Sequence, residues 1–90
     1  MTFAMRYYGT DLQVSVGKFV DGRPAEVFVN GGKIGTDVES LMRDNAILIS
    51  IALQHGVPLE ELCYSVSRET NGRPQSFVGA LLDAMKGEHK

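Results

Sequence analysis

Two stretches in the first third of the chain alternate apolar and polar residues. Over residues 12–20, Leu12, Val14 and Val16 share one face and polar side chains share the other. Residues 25–29 alternate in the same way. A period of two is typical of a strand with one buried face, so the pattern predicts two strands.

Turns are predicted on both sides of the second strand. The Asp-Gly pair at residues 21–22 favours a type I′ hairpin turn, because that turn needs positive φ angles. Residues 30–32, Asn-Gly-Gly, predict the next turn, and a very short third strand is possible at residues 33–34. Residues 1–11 show a mixed pattern and predict no regular element, with a loop at residues 9–11.

Beyond residue 35 the apolar spacing changes to three and four residues, which predicts three helices. Thr36 and Glu39 form a capping box at the start of the first, and Gly56 favours its end. Pro58 is expected in the first turn of the second helix, and a third covers about residues 75–86.

Strands followed by helices predict an α+β fold. We expect a small antiparallel two- to three-stranded sheet, followed by three helices packed on one face. The chain is expected to form a single domain over residues 1–90, with its core at about 12–86. The strings at residues 21–24 and 71–74 resemble each other, and both predict turns.

The first helix carries more apolar residues than one buried stripe needs. The set expected to cover the sheet is Val38, Leu41, Met42, Ile49, Ala52 and Leu53. Ile47, Leu48 and Ile51 lie partly off that face. Either the fold covers them internally, or they form an interface with a second copy or another protein partner.

Composition argues against several classes of protein. Nine Lys and Arg against eleven Asp and Glu give a net charge of −2, so a nucleic-acid binder is not expected. The single cysteine, Cys63, cannot form an internal disulfide or a Cys-rich metal site. No signal peptide is expected, because the first eight residues lack an apolar segment, and the longest apolar run, residues 46–53, is too short to cross a membrane. A cytoplasmic protein is expected.

The glycine-rich stretch at residues 31–36 is a candidate ligand site. Backbone N–H groups of Gly32, Gly35 and Thr36, with the Lys33 side chain, could hold an anion such as a nucleotide phosphate at a helix start. The spacing is not that of a P-loop, and the acidic residues just after it oppose a phosphate. A turn leading into a helix is the favoured interpretation.

Cys63 and His55 suggest a nucleophile and base. Cys63, however, falls on the apolar stripe of the second helix, where a free cysteine is usually a small core residue. With two histidines and no ligand spacing, no metal is expected. The residues therefore predict no catalytic, cofactor or metal site.

Several strings together resemble one known family. They are Arg-Pro-Ala-Glu-Val-Phe-Val at residues 23–29, Gly-Lys-Ile-Gly-Thr-Asp at 32–37, Leu-Met at 41–42, and the long string ending His-Gly-Val-Pro-Leu-Glu-Glu-Leu at 49–62. Over roughly residues 12–70 the chain resembles the TSCPD domain. That domain is found at the C-terminal end of adenosylcobalamin-dependent ribonucleotide reductases and in small free-standing proteins.

The resemblance implies a link to deoxyribonucleotide supply. The Cys-Pro-x-Cys-type tail that follows this region in full reductases does not occur in this sequence. The reductases' radical-bearing barrel, active-site cysteines and cobalamin site lie outside this domain, so no catalytic residue carries over. We expect a non-catalytic accessory or interaction module, or alternatively a small-ligand or nucleotide-binding regulator that uses residues 31–36. The expected partner is a second copy or a ribonucleotide-reductase-related protein.

Overall fold

A computed structural model of the chain describes residues 1–31 and 37–88. Three strands come first: β1, Thr2–Tyr7; β2, Thr10–Lys18; and β3, Pro24–Gly31. Three helices follow: α1, Asp37–Gln54; α2, Leu59–Ser65; and α3, Phe77–Glu88. The strands form one antiparallel sheet in the order β1-β2-β3. The predicted α+β fold, strands first and helices second, is confirmed.

β1 corrects the expectation that residues 1–11 hold no regular element. Its register against β2 is continuous, from Thr2 opposite Ser15 to Tyr7 opposite Thr10. The linking residues, Tyr8 and Gly9, have φ angles of 47° and 77°. Positive φ at both central residues is the requirement of a type I′ turn, so this turn joins β1 to β2.

The turn between β2 and β3 has a different type from the one expected. Among the described non-glycine residues only Tyr8 has a positive φ, so Asp21 cannot occupy a type I′ position. Gly22 alone takes the left-handed conformation, with φ at 92°. Its N–H donates to the carbonyl of Phe19, and the Phe19 N–H donates to that of Arg23. These bonds define a three-residue loop with a glycine bulge.

The similar string at residues 71–74 forms the same turn in a different place. Gly72 has a φ of 88°, and its N–H donates to the carbonyl of Glu69. Asn71 Oδ1 accepts the N–H of Arg73 at 2.9 Å, as Asp21 Oδ1 accepts that of Arg23 at 3.1 Å. Both predicted turns are confirmed. In each, glycine takes the left-handed conformation, and the side chain of the residue before it accepts the N–H of the following arginine.

Element boundaries differ from expectation at a few positions. Asn30 and Gly31, expected in a turn, belong to β3 and lie opposite Gln13 and Leu12. Pro58 precedes α2 as its capping residue, and α3 begins at Phe77. The end of α1 before Gly56 is confirmed, with Gly56 at a φ of 89°. The strand expected at residues 33–34 and the cap expected at residue 36 lie outside the described residues.

The core lies between the inner face of the sheet and the three helices. The sheet contributes the buried side chains of Leu12, Val14, Val16 and Val27, and α1 those of Met42, Ala46, Ile49 and Leu53. Leu59 and Cys63 come from α2, and Phe77, Leu81, Leu82 and Met85 from α3. α1 packs mainly on β3, whereas α3 contacts α2 and β1. One face of the sheet is covered and the other faces solvent, which is common in antiparallel sheets.

Candidate functional site: an apolar surface on α1

The side of α1 that turns away from the core is apolar. Ile47, Leu48 and Ile51 are 48%, 64% and 51% exposed. The buried stripe of α1 passes through Ala46 and Ile49, and Ile51 lies on the opposite side of the helix. The expectation that these three residues lie off the sheet-covering face agrees with the structure.

Two residues expected on the covered face are instead exposed. Val38 and Leu41 are each 58% exposed. Leu41 is next to the buried Met42 and so points about 100° away from it around the helix. Val38 lies in the first turn of α1, one turn before Met42. Met42 is the first buried residue of the helix. Both residues therefore add to the apolar area outside the core.

A groove lies on the β3 side of this helix face. It has a volume of about 280 Å³ and is lined by Val29 and Phe28 of β3 and by Ile47 and Ile51 of α1. Phe28 is 56% exposed, because its side chain points away from the buried face that Val27 occupies. Arg43 is a charged residue that also lines this groove.

A second groove lies on the other side of α1. Its volume is about 180 Å³, and Leu48, Leu62, Val66 and Val78 line it with almost no polar surface. Apolar surface therefore runs from Phe28 across the outer side of α1 to α2 and α3. We call Phe28, Ile47, Leu48 and Ile51 the α1 surface.

A separate cleft opens where the β2–β3 turn meets the helices. It has a volume of about 300 Å³, with an apolar lining of Phe19, Pro24, Leu53, Val57, Pro58 and Leu59. Its charged residues are Arg23, Glu60 and Lys86. Arg23 donates to Asp21 Oδ2 at 2.7 Å, and Glu60 offsets Lys86. The cleft therefore has no net charge that favours an anion. The sequence analysis missed it, because its lining comes from separate elements.

The candidate ligand residues Gly32, Lys33, Gly35 and Thr36 all lie outside the described residues. Their proposed role in anion binding therefore stays a prediction.

Cys63 is 4% exposed and packs in the core with other apolar side chains. Burial raises the pKa of its thiol, which disfavours the reactive thiolate. His55 lies just after α1, is exposed, and its Nδ1 donates to the carbonyl of Ile51 at 2.9 Å. Within the described part of the chain, no group of three or more His, Cys, Asp or Glu side chains could hold a metal ion.

Arg68, which the sequence analysis did not single out, is a charged group with several hydrogen-bond partners. Its guanidinium donates to both carboxylate oxygens of Asp83, at 2.9 and 2.7 Å. It also donates to the carbonyls of Cys63 and Gly72. These bonds join the end of α2, the turn at residues 69–74, and α3. A lone arginine in a polar loop carries no sequence pattern that predicts these partners.

The fold and the exposed side of α1 define a class: a small α+β domain whose sheet is covered on one side and whose first helix presents apolar surface. The chain belongs to the TSCPD domain family, whose model matches residues 2–88. The match extends beyond the range over which the sequence strings resemble that family.

Three curated relatives are vitamin B12-dependent ribonucleotide reductases. The protein from Agrobacterium fabrum is 43% identical over 53 residues, which are 59% of this chain and 4% of the reductase. The protein from Rhodopirellula baltica is 37% identical over 60 residues, 67% of this chain and 6% of the reductase. The protein from Bradyrhizobium diazoefficiens is 38% identical over 53 residues, 59% of this chain and 4% of the reductase. This chain therefore spans a small fraction of each relative.

No solved structure matches the chain at a significant level. No helix in residues 37–88 is long and apolar enough to cross a membrane.

Proposed function

We propose that this chain is an accessory interaction domain of deoxyribonucleotide synthesis, which binds a ribonucleotide-reductase-related protein in the cytoplasm through the α1 surface. The observation that carries this proposal is the exposure of Ile47, Leu48 and Ile51 beside the apolar groove that also contains Phe28. Membership of the TSCPD family and the similarity to vitamin B12-dependent reductases support the choice of partner.

Burial of this surface gives a partner a favourable free energy. Complete burial of a large aliphatic side chain is worth about 1.5–3 kcal/mol. Each residue of the α1 surface is about half exposed, so an interface recovers about 1 kcal/mol from each. The grooves on either side of α1 add positions where partner side chains can insert, which is how a few anchor residues come to dominate binding.

In this proposal the chain has no reductase activity by itself. Nucleotide reduction needs a radical source and a reducing pair of thiols, and Cys63 is the only cysteine in the sequence. Its burial and raised pKa support a structural role.

The test compares two charge substitutions on exposed apolar residues. Leu48→Glu places a carboxylate in the middle of the α1 surface, whereas Val20→Glu makes a matched change at the β2–β3 turn, where Val20 is fully exposed. Tagged wild-type and variant chains are used to purify partners from the native host, and the partners are identified by mass spectrometry. We expect the wild type and Val20→Glu to enrich a ribonucleotide-reductase-related protein, and Leu48→Glu to lose it.

Circular dichroism of Leu48→Glu should match that of the wild type. If the variant unfolds, the α1 surface belongs to the core and the proposal is wrong. If the wild type enriches no reductase-related protein, the proposed partner is wrong. If Leu48→Glu instead converts a wild-type dimer to a monomer in sedimentation, the occupant of the α1 surface is a second copy.

A further inference from the structure

One row of backbone groups on β1 has no partner within the described residues. Met1 and Val16 exchange both backbone hydrogen bonds, at 2.7 and 3.0 Å. In an antiparallel pair, alternate residues point their N–H and C=O groups toward the partner strand. Counting from Met1, the odd-numbered residues of β1 bond to β2, and the N–H and C=O groups of Thr2, Ala4 and Arg6 point outward from the sheet.

The opposite edge of the sheet is covered. On β3, the N–H of Val27 donates to Ser50 Oγ at 2.9 Å, and the Ser50 hydroxyl lies 3.2 Å from the Val27 carbonyl. α1 thus packs along β3 and occupies the outward backbone groups of Val27, at the middle of the strand. β3 also begins with Pro24 and carries a register irregularity opposite Gly17 and Lys18. Prolines, bulges and covering helices are the usual means of preventing edge pairing.

β1 lacks this protection. α3 contacts β1 only on the inner face, where Phe77 meets Tyr7, and no side chain of the described residues bonds to the outward backbone groups of β1. β1 contains no proline, its register with β2 has no bulge, and Thr2 and Ala4 are exposed and uncharged. Arg6 is its one charged residue, and its Nε lies 3.4 Å from Asp11 on the neighbouring strand. In the part of the chain that the structure describes, α1 therefore obstructs the β3 edge, whereas the β1 edge is able to accept a strand.

Among the antiparallel registers of β1 with itself, the one centred on Ala4 pairs the most outward residues, because centring on Phe3 leaves out Arg6 and centring on Met5 leaves out Thr2. With Ala4 opposite Ala4 of another copy, Thr2 faces Arg6, and all three outward pairs can exchange backbone hydrogen bonds. On the inner face, Phe3 then lies opposite Met5. Centring the pair on Arg6 instead places two arginines directly opposite each other, which is destabilising. If Thr2 lies opposite Thr2 instead, Ala4 and Arg6 have no opposite residue in β1 of the second copy.

We propose that a second copy of this chain pairs its β1 antiparallel to β1, centred on Ala4, so that the two sheets become one continuous sheet. Phe3 and Met5, which are only partly buried against the core, gain cross-strand contacts on the inner face. β1 and β3 are opposite edges of the sheet, and α1 packs on β3. The dimer therefore leaves the α1 surface free. This inference does not depend on the proposed function.

The test uses two residues that lie opposite each other on the outer face of the sheet. Ala4 on β1 pairs with Gln13 on β2. Ala4→Lys brings two lysines together at the centre of the dimer, whereas Gln13→Lys adds the same side chain one strand further in. In sedimentation velocity at micromolar concentrations, we expect the wild type and Gln13→Lys to be dimers and Ala4→Lys to be a monomer.

Ala4→Pro provides a second variant. The Ala4 N–H points outward, so a proline there breaks no bond with β2 but removes a donor that the dimer needs. We expect it to be monomeric, with an unchanged circular dichroism spectrum. In the wild type, the amides of Ala4 and Arg6 should exchange hydrogen more slowly as the chain concentration rises, because these N–H groups become bonded across the dimer.

A wild type that sediments as a monomer throughout the micromolar range overturns the inference. Dimers that persist in both Ala4 variants overturn it as well. A dimer that Leu48→Glu abolishes and Ala4→Lys retains places the second copy on the α1 surface instead. None of these sedimentation results measures capture of a reductase-related protein, so failure of this inference is distinguishable from failure of the proposed function.

Discussion

Ser50 shows how one polar residue can be needed within an apolar helix stripe. By sequence it interrupts the longest apolar run of the chain. In the structure its Oγ accepts the N–H of Val27, and its hydroxyl hydrogen can reach the carbonyls of Ala46 and Val27, at 2.9 and 3.2 Å. The Ser50 side chain therefore provides hydrogen-bond partners for the partly buried backbone of Val27 and attaches α1 to the edge of β3.

Ser50→Ala is expected to lower the free energy of unfolding by about 1–2 kcal/mol, because it leaves the Val27 N–H without its partner. Urea denaturation of the variant and the wild type measures the difference. Ser40→Ala, a substitution at an exposed position of the same helix, is the control and should stay within about 0.5 kcal/mol of the wild type. Equal effects of the two substitutions would contradict the role given to Ser50.

The pair of Arg68 and Asp83 connects residues that lie fifteen positions apart. Hydrogen bonds from the Arg68 guanidinium lower the pKa of the Asp83 carboxyl, and the charge of Arg68 acts in the same direction. A carboxyl whose pKa falls on folding stabilises the native state above its unfolded pKa, which is about 3.9. That stabilisation is lost as the pH falls through the lower folded pKa.

Asp83→Asn should therefore destabilise the chain at neutral pH, and the difference from the wild type should shrink below about pH 4. Urea denaturation at a series of pH values measures this difference. Asp44→Asn removes an exposed carboxylate of α1 that has no ion-pair partner in the described residues, and should stay within about 0.5 kcal/mol of the wild type at neutral pH. A difference for Asp83→Asn that is constant with pH would show that the ion pair does not contribute.

At the scale of elements, α3 approaches the turn at residues 69–74 so closely that one helical position must be glycine. A Cβ atom built on Gly79 would lie 2.7 Å from Cβ of Pro74 and 3.4 Å from Cγ2 of Val66. Real Cβ atoms do not come as close as the first of these distances, so α3 or the turn would have to move. The Arg68–Asp83 bonds limit that movement, because they hold the same two elements together.

Gly79→Ala is expected to destabilise the chain, although alanine favours a helix by about 1 kcal/mol over glycine. Overpacking against Pro74 costs about 1–3 kcal/mol, so the steric term exceeds the gain. Gly87→Ala is the matched control in the same helix, because nothing lies within 4 Å of its added Cβ. Thermal unfolding should show a lower Tm for Gly79→Ala and an equal or higher Tm for Gly87→Ala. A higher Tm in both would show that the contact relaxes without cost.

At the scale of the whole molecule, the helices and the sheet leave different kinds of surface free. α1 covers the edge of β3 with its inner side and presents apolar residues on its outer side. β1, at the far edge, presents backbone hydrogen-bonding groups. An apolar helix face and an open strand edge are recognised by different modes of binding, so the two proposed partners, a reductase-related protein and a second copy, would not compete for one surface.

The sequence by itself determined most of the elements, because helices and strands have short periods that appear in a local window. It located β2, most of β3, α1 with its end at Gly56, and the apolar stripe of α2. The pattern for β1 was also available: Phe3, Met5 and Tyr7 alternate with Thr2, Ala4 and Arg6. We overlooked it, because small and partly polar residues weaken the contrast between the two faces.

The tertiary structure decided which apolar residues of α1 are buried and which groups meet across the chain. Val38 and Leu41 fit a helical stripe as well as Met42 does, yet only Met42 lies over the core. The partners of Ser50 and Arg68 lie 23 and 15 residues away. Such contacts depend on how the elements pack, and local periodicity does not contain that information. The same packing decided that the β3 edge is covered and the β1 edge is open.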